Sequence, residues 1–541
     1  MRIRAVSVML ATAVLASGCG GSTPAVEEAG DPVTGGTLRY AVASYPQCLD
    51  AALRARLFSG PEQYVETLTD QDENGEIVPR LATSWDITDG GRTYTFQLRE
   101  DVTFSDGSPL TAQVVADNLD ALVRLSSDGK TDTPVNSALN SYAGTDVVDE
   151  HTVRIRFDLP ELGFLRNASD PYLGIYSAAT AAASYEDRCD GKLIGSGPFV
   201  IGEIVRNQSV TLERRPDYNW APEAVSAHQG EAYLDSIVFQ VVPESGVRVG
   251  GLQSGQFDVI DEVPATDQEA LKASGAEVVF GTIPNLNPGV YHNPYSPLGA
   301  DVGLRQAISK AINREEIRDT LYSPDYPVPT GLVAASTPLF TDQSEALAYN
   351  PDEAKALLDA DGWVPQPDGV RARDGVRLEP RLTYVAGSTR GASQQDLELI
   401  QQQLKTVGIA LQLVPTTAAE ESANLNRVGK SGVAEADYDF SSGAGLSKDI
   451  DFLIGLFRST NRRLGDFPDP DLEKQVDALD FAETDEQRNA AAAALQRFIV
   501  EDADWIPVRE ATRVFATAAG VHGYRIDPYG ESVFYDTWIN S

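Results

Sequence analysis

Residues 78–118, VPRLATSWDITDGGRTYTFQLREDVTFSDGSPLTAQVVADN, hold the reading that decides the fold. Asp89-Gly90 and Asp106-Gly107 are turn dipeptides, because Gly accepts positive φ and Asp hydrogen-bonds its own backbone. Between them Tyr94, Phe96 and Leu98 alternate with Thr93, Thr95 and Gln97, the period of a half-buried strand. Thr111, just behind Pro109, takes an N-cap position. Val114, Val115, Asn118, Leu119 and Leu122 then follow at roughly helical spacing. The block predicts turn, strand, turn and capped helix. It carries no catalytic constellation and reads as scaffold.

The 541-residue chain is too long for one ordinary core, so two or three lobes are expected. With 42% hydrophobic and 23% charged residues, the composition is that of a soluble globular protein. A formal charge of −37 repels phosphate backbones, and no nucleic-acid partner is expected. The acidity reads first as serving solubility, with electrostatic attraction of a cationic solute as the alternative. At the start, MRIRAVSVMLATAVLASGC places Arg2 and Arg4 before a short apolar run, Ala5 to Ala16. Leu15-Ala16-Ser17-Gly18-Cys19 resembles a lipobox, in which a Cys is lipidated after cleavage in front of it. Residues 1–18 are thus expected to be a lipoprotein signal peptide, with Cys19 lipidated. An ordinary secretory signal with an incidental Cys19 is the other reading. Residues 19–35, rich in Gly, Ser, Pro, Ala and Glu, read as a flexible tether. No later segment is apolar enough to span a bilayer. An extracytoplasmic protein is expected, lipid-anchored to the outer face of the cell membrane or periplasmic. An exported chain meets an oxidising compartment, so Cys48 and Cys189 are expected to be bridged. The four His residues are isolated, with no paired ligand spacing, and neither a metal nor a cofactor is expected.

Strand-like and helix-like segments alternate throughout, which indicates α/β lobes with mixed sheets. The plainest unit is a strand over 382–385, a helix near 394–404 and a strand over 410–414. An Ala-rich helix is predicted over 484–500. Further motifs recur along the chain: Gly35-Gly36-Thr37-Leu38-Arg39, Cys48-Leu49-Asp50, Gly195-Ser196-Gly197-Pro198-Phe199 and Leu252-Gln253-Ser254-Gly255-Gln256-Phe257-Asp258. Val302-Gly303-Leu304-Arg305-Gln306-Ala307 and Tyr349-Asn350-Pro351 through Gly362-Trp363 continue the series. Together with the 78–118 block, in this order and spacing, they resemble the extracytoplasmic solute-binding proteins of family 5, the peptide/nickel/oligopeptide class. The resemblance covers roughly residues 35–541.

It implies a two-lobed clamp with an extra domain, a class II periplasmic-binding-protein-like fold. Lobe I would be discontinuous, at 36–68, 187–288 and 504–541. An accessory domain II would take 69–186, and lobe III 289–503. Crossings are expected near 285–291 and 500–507, with Asn285-Leu286-Asn287-Pro288-Gly289 as a hinge. The implied function is the solute-binding component of an ABC importer. It would act as a monomer, capturing a peptide-like or other small organic solute and delivering it to a permease and ATPase complex. A nickel chelate, opine or glycoside is the alternative solute. By family position, Tyr45, Gln47, Asn287 and Tyr291 should face the cleft. The third candidate segment is 437–449, with Ser441, Ser442, Ser447 and Asp449. Dipeptide-type members carry a Trp and an Asp in that segment. Here Ser442 falls near the Trp position and Gly445 or Leu446 near that Asp, which argues against a dipeptide.

Other motifs dissolve on inspection. Asp70-Gln71-Asp72-Glu73-Asn74-Gly75 copies half of a calcium loop, but its twelfth position is Leu81 rather than Glu, and Asn74-Gly75 reads as a hairpin turn. Gly429-Lys430-Ser431 lacks the first Gly of a phosphate loop, since position 424 is Asn424. No Ser has Gly at both −2 and +2, as a nucleophile elbow requires. Asp469 and Asp471 read as helix-start carboxylates. An exported hydrolase is the reading from another class, and it has no nucleophile–base pair to stand on. No catalytic residue is expected.

Overall fold

The 78–118 block folds as its side chains dictate. In the computed structural model, strand Thr93–Leu98 buries Tyr94, Phe96 and Leu98 and turns the intervening residues outward. Asp89, Gly90 and Gly91 all have positive φ, which reverses the chain into it from strand Ala82–Thr88. Thr111 caps helix Ala112–Ser127 by accepting from the Val114 N–H at 3.4 Å, and the helix buries Val114, Val115, Asn118, Leu119 and Leu122. The structure describes residues 31–540, except 54–58, 132–134, 136–137, 140, 387–391, 418, 422, 424–437, 445–448 and 459–468. The account that follows concerns the unit beginning at Val33.

Three sheets organise the described chain. The first has seven strands, in the order Glu277–Thr282, Thr512–Thr517, Val259–Ile260, Thr37–Val42, Ser236–Val241, Ser209–Arg214 and Phe199–Val205. It is mixed: Thr37–Val42 runs parallel to both of its neighbours and the remaining pairs are antiparallel. The second is an antiparallel four-stranded sheet, Ala82–Thr88, Thr93–Leu98, Thr152–Phe157 and Tyr142–Val147, against which helix Ala112–Ser127 packs. The third has five strands, in the order Gln412–Thr416, Arg381–Val385, Phe440–Gly443, Gly289–His292 and Trp505–Pro507. Arg381–Val385 runs parallel to both neighbours, and helix Gln394–Lys405 makes the crossover. That unit is the one legible in the sequence, with its second strand two residues later than expected. The fold is the α/β two-lobed clamp with mixed sheets.

The five-stranded sheet is packed on both faces. Val290, Leu382, Phe440 and Ile506 join a core with helices Val302–Ala311, Pro351–Ala360 and Gln394–Lys405. Tyr291 and Trp505, one residue out of phase, join a second core with helices Phe452–Phe457, Pro470–Asp480 and Asp485–Glu501. The period-two alternation of strand side chains produces this split. Strand Trp505–Pro507 belongs to this sheet, so the returning crossing lies at 508–511. That places it after the sequence boundary at 504. Asn74-Gly75 is the expected hairpin turn, with Gly75 N–H donating to Asp72 O at 2.9 Å between Thr69–Gln71 and Ile77–Pro79. Asp469 caps its helix through the Asp471 and Leu472 N–H groups. Cys48 and Cys189 form a disulfide.

Candidate functional site

Two short segments connect the seven-stranded and five-stranded sheets. One runs from Thr282 to Gly289, the other from Pro507 to Thr512. Asn287 ties them together. Its Nδ2 donates to Gly331 O and to Glu510 Oε2, each at 3.1 Å, and its Oδ1 accepts from Ala511 N–H at 3.0 Å. Glu510 in turn accepts from Ala335 N–H at 2.6 Å, and burial pushes its carboxyl up to about 7. Gly289 is required by close approach: a Cβ there would lie 2.4 Å from Ile506 O. Asn287 is 0% exposed with both amide donors used inside the protein. Its amide ties the two crossings together, where the sequence led us to expect it to face a solute.

Gly289 pairs with both Gly443 and Pro507, so the crossings leave the edge of the sheet at which strand Phe440–Gly443 ends. The parallel strands Arg381–Val385 and Gln412–Thr416 end at the same edge. This is the carboxyl edge of the parallel strands, the usual location of ligands in α/β sheets. Thr383, Ser441, Tyr291 and Trp505 are successive register partners across the strands behind it. Tyr291 stacks on Trp505 with ring centroids 5.5 Å apart, and Trp505 Nε1 donates to Asn287 O at 2.9 Å.

A carboxylate closes this row. Glu421 lies just past strand Gln412–Thr416, and its Oε1 accepts from Ser441 Oγ at 2.9 Å and from the Tyr291 hydroxyl at 3.2 Å. Burial, followed by the Glu421 charge, pushes the phenols of Tyr291 and Tyr438 up. The sequence contained no signal for Glu421. It sits in an Ala/Glu-rich stretch that reads as a solvated helix start.

Asp449 has a different environment. Arg488 Nη2 reaches Asp449 Oδ1 at 2.5 Å and Asp451 Oδ2 at 2.9 Å. Arg166, from the region of the four-stranded sheet, brings its Nε to 3.6 Å of Asp449 Oδ2. Gly163 lies against the same group, where a Cβ would sit 2.8 Å from Asp451 Oδ2. Beside it, burial raises the Glu161 carboxyl to about 7, opposed by its hydrogen bond from Ser141 and by Arg488, and reinforced by Asp451 and Asp480. Burial and the Asp449 charge likewise raise Asp451. Asp449 is therefore committed to an ion network that joins the two regions.

Of the other expected residues, Ser441 and Tyr291 meet at Glu421, 1% and 3% exposed respectively. Ser442 donates to Ala392 O at 3.0 Å. Tyr45 packs on the core of the seven-stranded sheet, its hydroxyl raised first by burial, with Arg206 and Asp190 as the nearby charges. Gln47 is exposed. Among the described residues no hydrogen bond or ring contact joins either to Tyr291. Ser447 and Cys19 lie outside those residues.

Over residues 76–461 the chain matches the family described as "Bacterial extracellular solute-binding proteins, family 5 Middle". It is 25% identical over 482 residues to the probable di/tripeptide-binding protein 5 of Pseudomonas aeruginosa, covering 85% of this chain and 86% of that one. It is 27% identical over 443 residues to the oligopeptide-binding protein AppA of Bacillus subtilis, covering 77% of each. Its fold matches the crystal structure of NikA from Brucella suis in complex with Fe(III)-EDTA. There the TM-score is 0.79 at 19% identity, over 93% of this chain and 100% of that one.

Proposed function

The chain belongs to the bacterial extracellular solute-binding proteins of family 5, and from that membership we propose that it is the solute-capturing component of an ABC importer. It is a binding protein, not an enzyme, and it works outside the cytoplasm. A peptide-like or other small organic solute enters between the seven-stranded and five-stranded lobes and is handed to a membrane permease served by an ATPase. The observation that carries this reading is the family match, which spans the four-stranded sheet, the first crossing and most of the five-stranded lobe. The relatives' names support both a peptide and a metal-chelate solute. An opine or glycoside is the further alternative.

We assign 36–68, 187–288 and 504–541 to lobe I, 69–186 to domain II and 289–503 to lobe III; the pairing of Trp505–Pro507 with Gly289–His292 supports a returning boundary nearer residue 508. Tyr291, Ser441 and Ser442 form one wall of the cleft, and Tyr45 and Gln47 the other. Cleavage before Cys19 and its lipidation tether the monomeric protein to the membrane through residues 19–35. Replacing Cys19 by Ser is expected to move the protein from the membrane fraction to the soluble one.

A melting screen of the purified protein against peptides, opines, metal chelates and sugars tests the main reading. A solute that binds only the native state adds about 2.7 kcal/mol at a hundredfold excess over Kd. One class is expected to raise Tm. A flat response across all four classes would overturn the importer reading.

A further inference from the structure

Glu421 carries a negative charge to the sheet edge beside the crossings, and among the described residues no cation meets it. Its Oε1 takes both strong donors, Ser441 Oγ and the Tyr291 hydroxyl. Its Oε2 has only Thr416 Oγ1, at 3.4 Å, and that hydroxyl lies closer to Tyr384 O, at 3.1 Å. Among the described residues no Arg, Lys or His lies in ion-pair range, whereas Asp449 has Arg488 and Asp258 has Arg39. A half-buried carboxylate with one oxygen only weakly bound loses hydration that its hydroxyl donors only partly replace. Tyr291 meets it with its hydroxyl, the ring itself being buried and stacked on Trp505.

We propose that Glu421 is a specificity residue that selects a solute bearing a cationic group, an ammonium or guanidinium, which pairs with its Oε2. The inference rests on the solute-binding reading and narrows it. Pairing charges in a desolvated cleft is where electrostatic complementarity discriminates most, because an uncharged competitor leaves the carboxylate unmet. The overall charge of −37 draws the same class of solute toward the protein.

The experiment uses the purified full-length protein and solutes paired with neutral isosteres: trialanine with N-acetyl-trialanine, butylguanidinium with butylurea, and choline with 3,3-dimethylbutanol. Melting and calorimetric titration are run on the wild type, Glu421→Gln and Glu421→Asp. A cation is expected to bind the wild type and its isostere not. Glu421→Gln should weaken the cation by about thirtyfold or more, and Glu421→Asp by less. Ligand-free Glu421→Gln should melt at or above the wild-type temperature, because the unmet charge is gone. The inference is overturned if no cation outperforms its isostere, or if ligand-free Glu421→Gln melts as low as Asp449→Asn. Solutes of the wider screen that bind the wild type and Glu421→Gln alike would remove the charge assignment and leave the solute-binding reading standing. No response to any solute would remove both.

Discussion

Asp449 and Glu421 are carboxylates of the same lobe with opposite surroundings. Asp449, with a side chain 5% exposed, has Arg488 at 2.5 Å and Arg166 at 3.6 Å. Among the described residues Glu421 has only hydroxyl donors. Asp449 therefore holds structure together, and its charge is spent before any solute arrives. Glu421 is held in place by neutral groups that orient it without neutralising it. Carboxylates cannot be sorted into structural and recognition groups by residue type. The sorting follows from which partners desolvation leaves them.

The largest test breaks the structural side of this contrast. Arg488→Met leaves the buried Asp449 and the half-buried Asp451 without their guanidinium and is expected to cost about 3–5 kcal/mol, read as a lower urea midpoint. A change under about 1 kcal/mol would mean that the network is a surface decoration.

A pH arm asks how a buried carboxylate behaves when, unlike Asp449, it has no strong cation. Glu510 and Glu161 each rise from 4.5 to about 7 on folding. The folded state therefore holds their protons more tightly than the unfolded one. This contribution to stability is full below pH 4.5 and is lost as pH rises through about 7. Glu510→Gln is expected to reduce that fall in stability by about 2 kcal/mol between acidic and neutral buffer, followed by melting across the window. An unchanged pH slope would show that Glu510 does not bind the proton.

Asp449→Asn is milder than loss of Arg488, because Asp451 keeps the guanidinium company. About 1–2 kcal/mol of destabilisation is expected with solute affinity retained. Lost affinity at unchanged stability would reverse the assignment of the two carboxylates. The smallest effect belongs to Ser441→Ala, which removes one donor from Glu421 and is expected to cost about 1 kcal/mol. Its urea midpoint measures how much the hydroxyl shell holds the Glu421 carboxylate.

Legibility in the sequence followed the range of the interactions. The Asp89-Gly90 turn, the Thr111 cap and the strand–helix–strand unit over 381–416 were readable because each is decided by neighbours a few positions away. Tyr291 and Ser441 were reached through resemblance alone, and they do meet, at one carboxylate. Asn287 was expected to face the cleft, and in the fold its amide spans the two crossings. A polar residue between strands looks the same in sequence whether its amide faces a cleft or ties two crossings together.

By itself the sequence determined the family, the α/β alternation, the turns and caps, and the pattern of buried strand positions. These rest on backbone preference and hydrophobic periodicity, which act locally. Only the tertiary structure decided which charges are answered. Arg488 reaches Asp449 across 39 positions, and Tyr291 reaches Glu421 across 130. Such pairings are set by how the packed layers bring distant side chains together and strip them of water, and no local pattern in the chain records that.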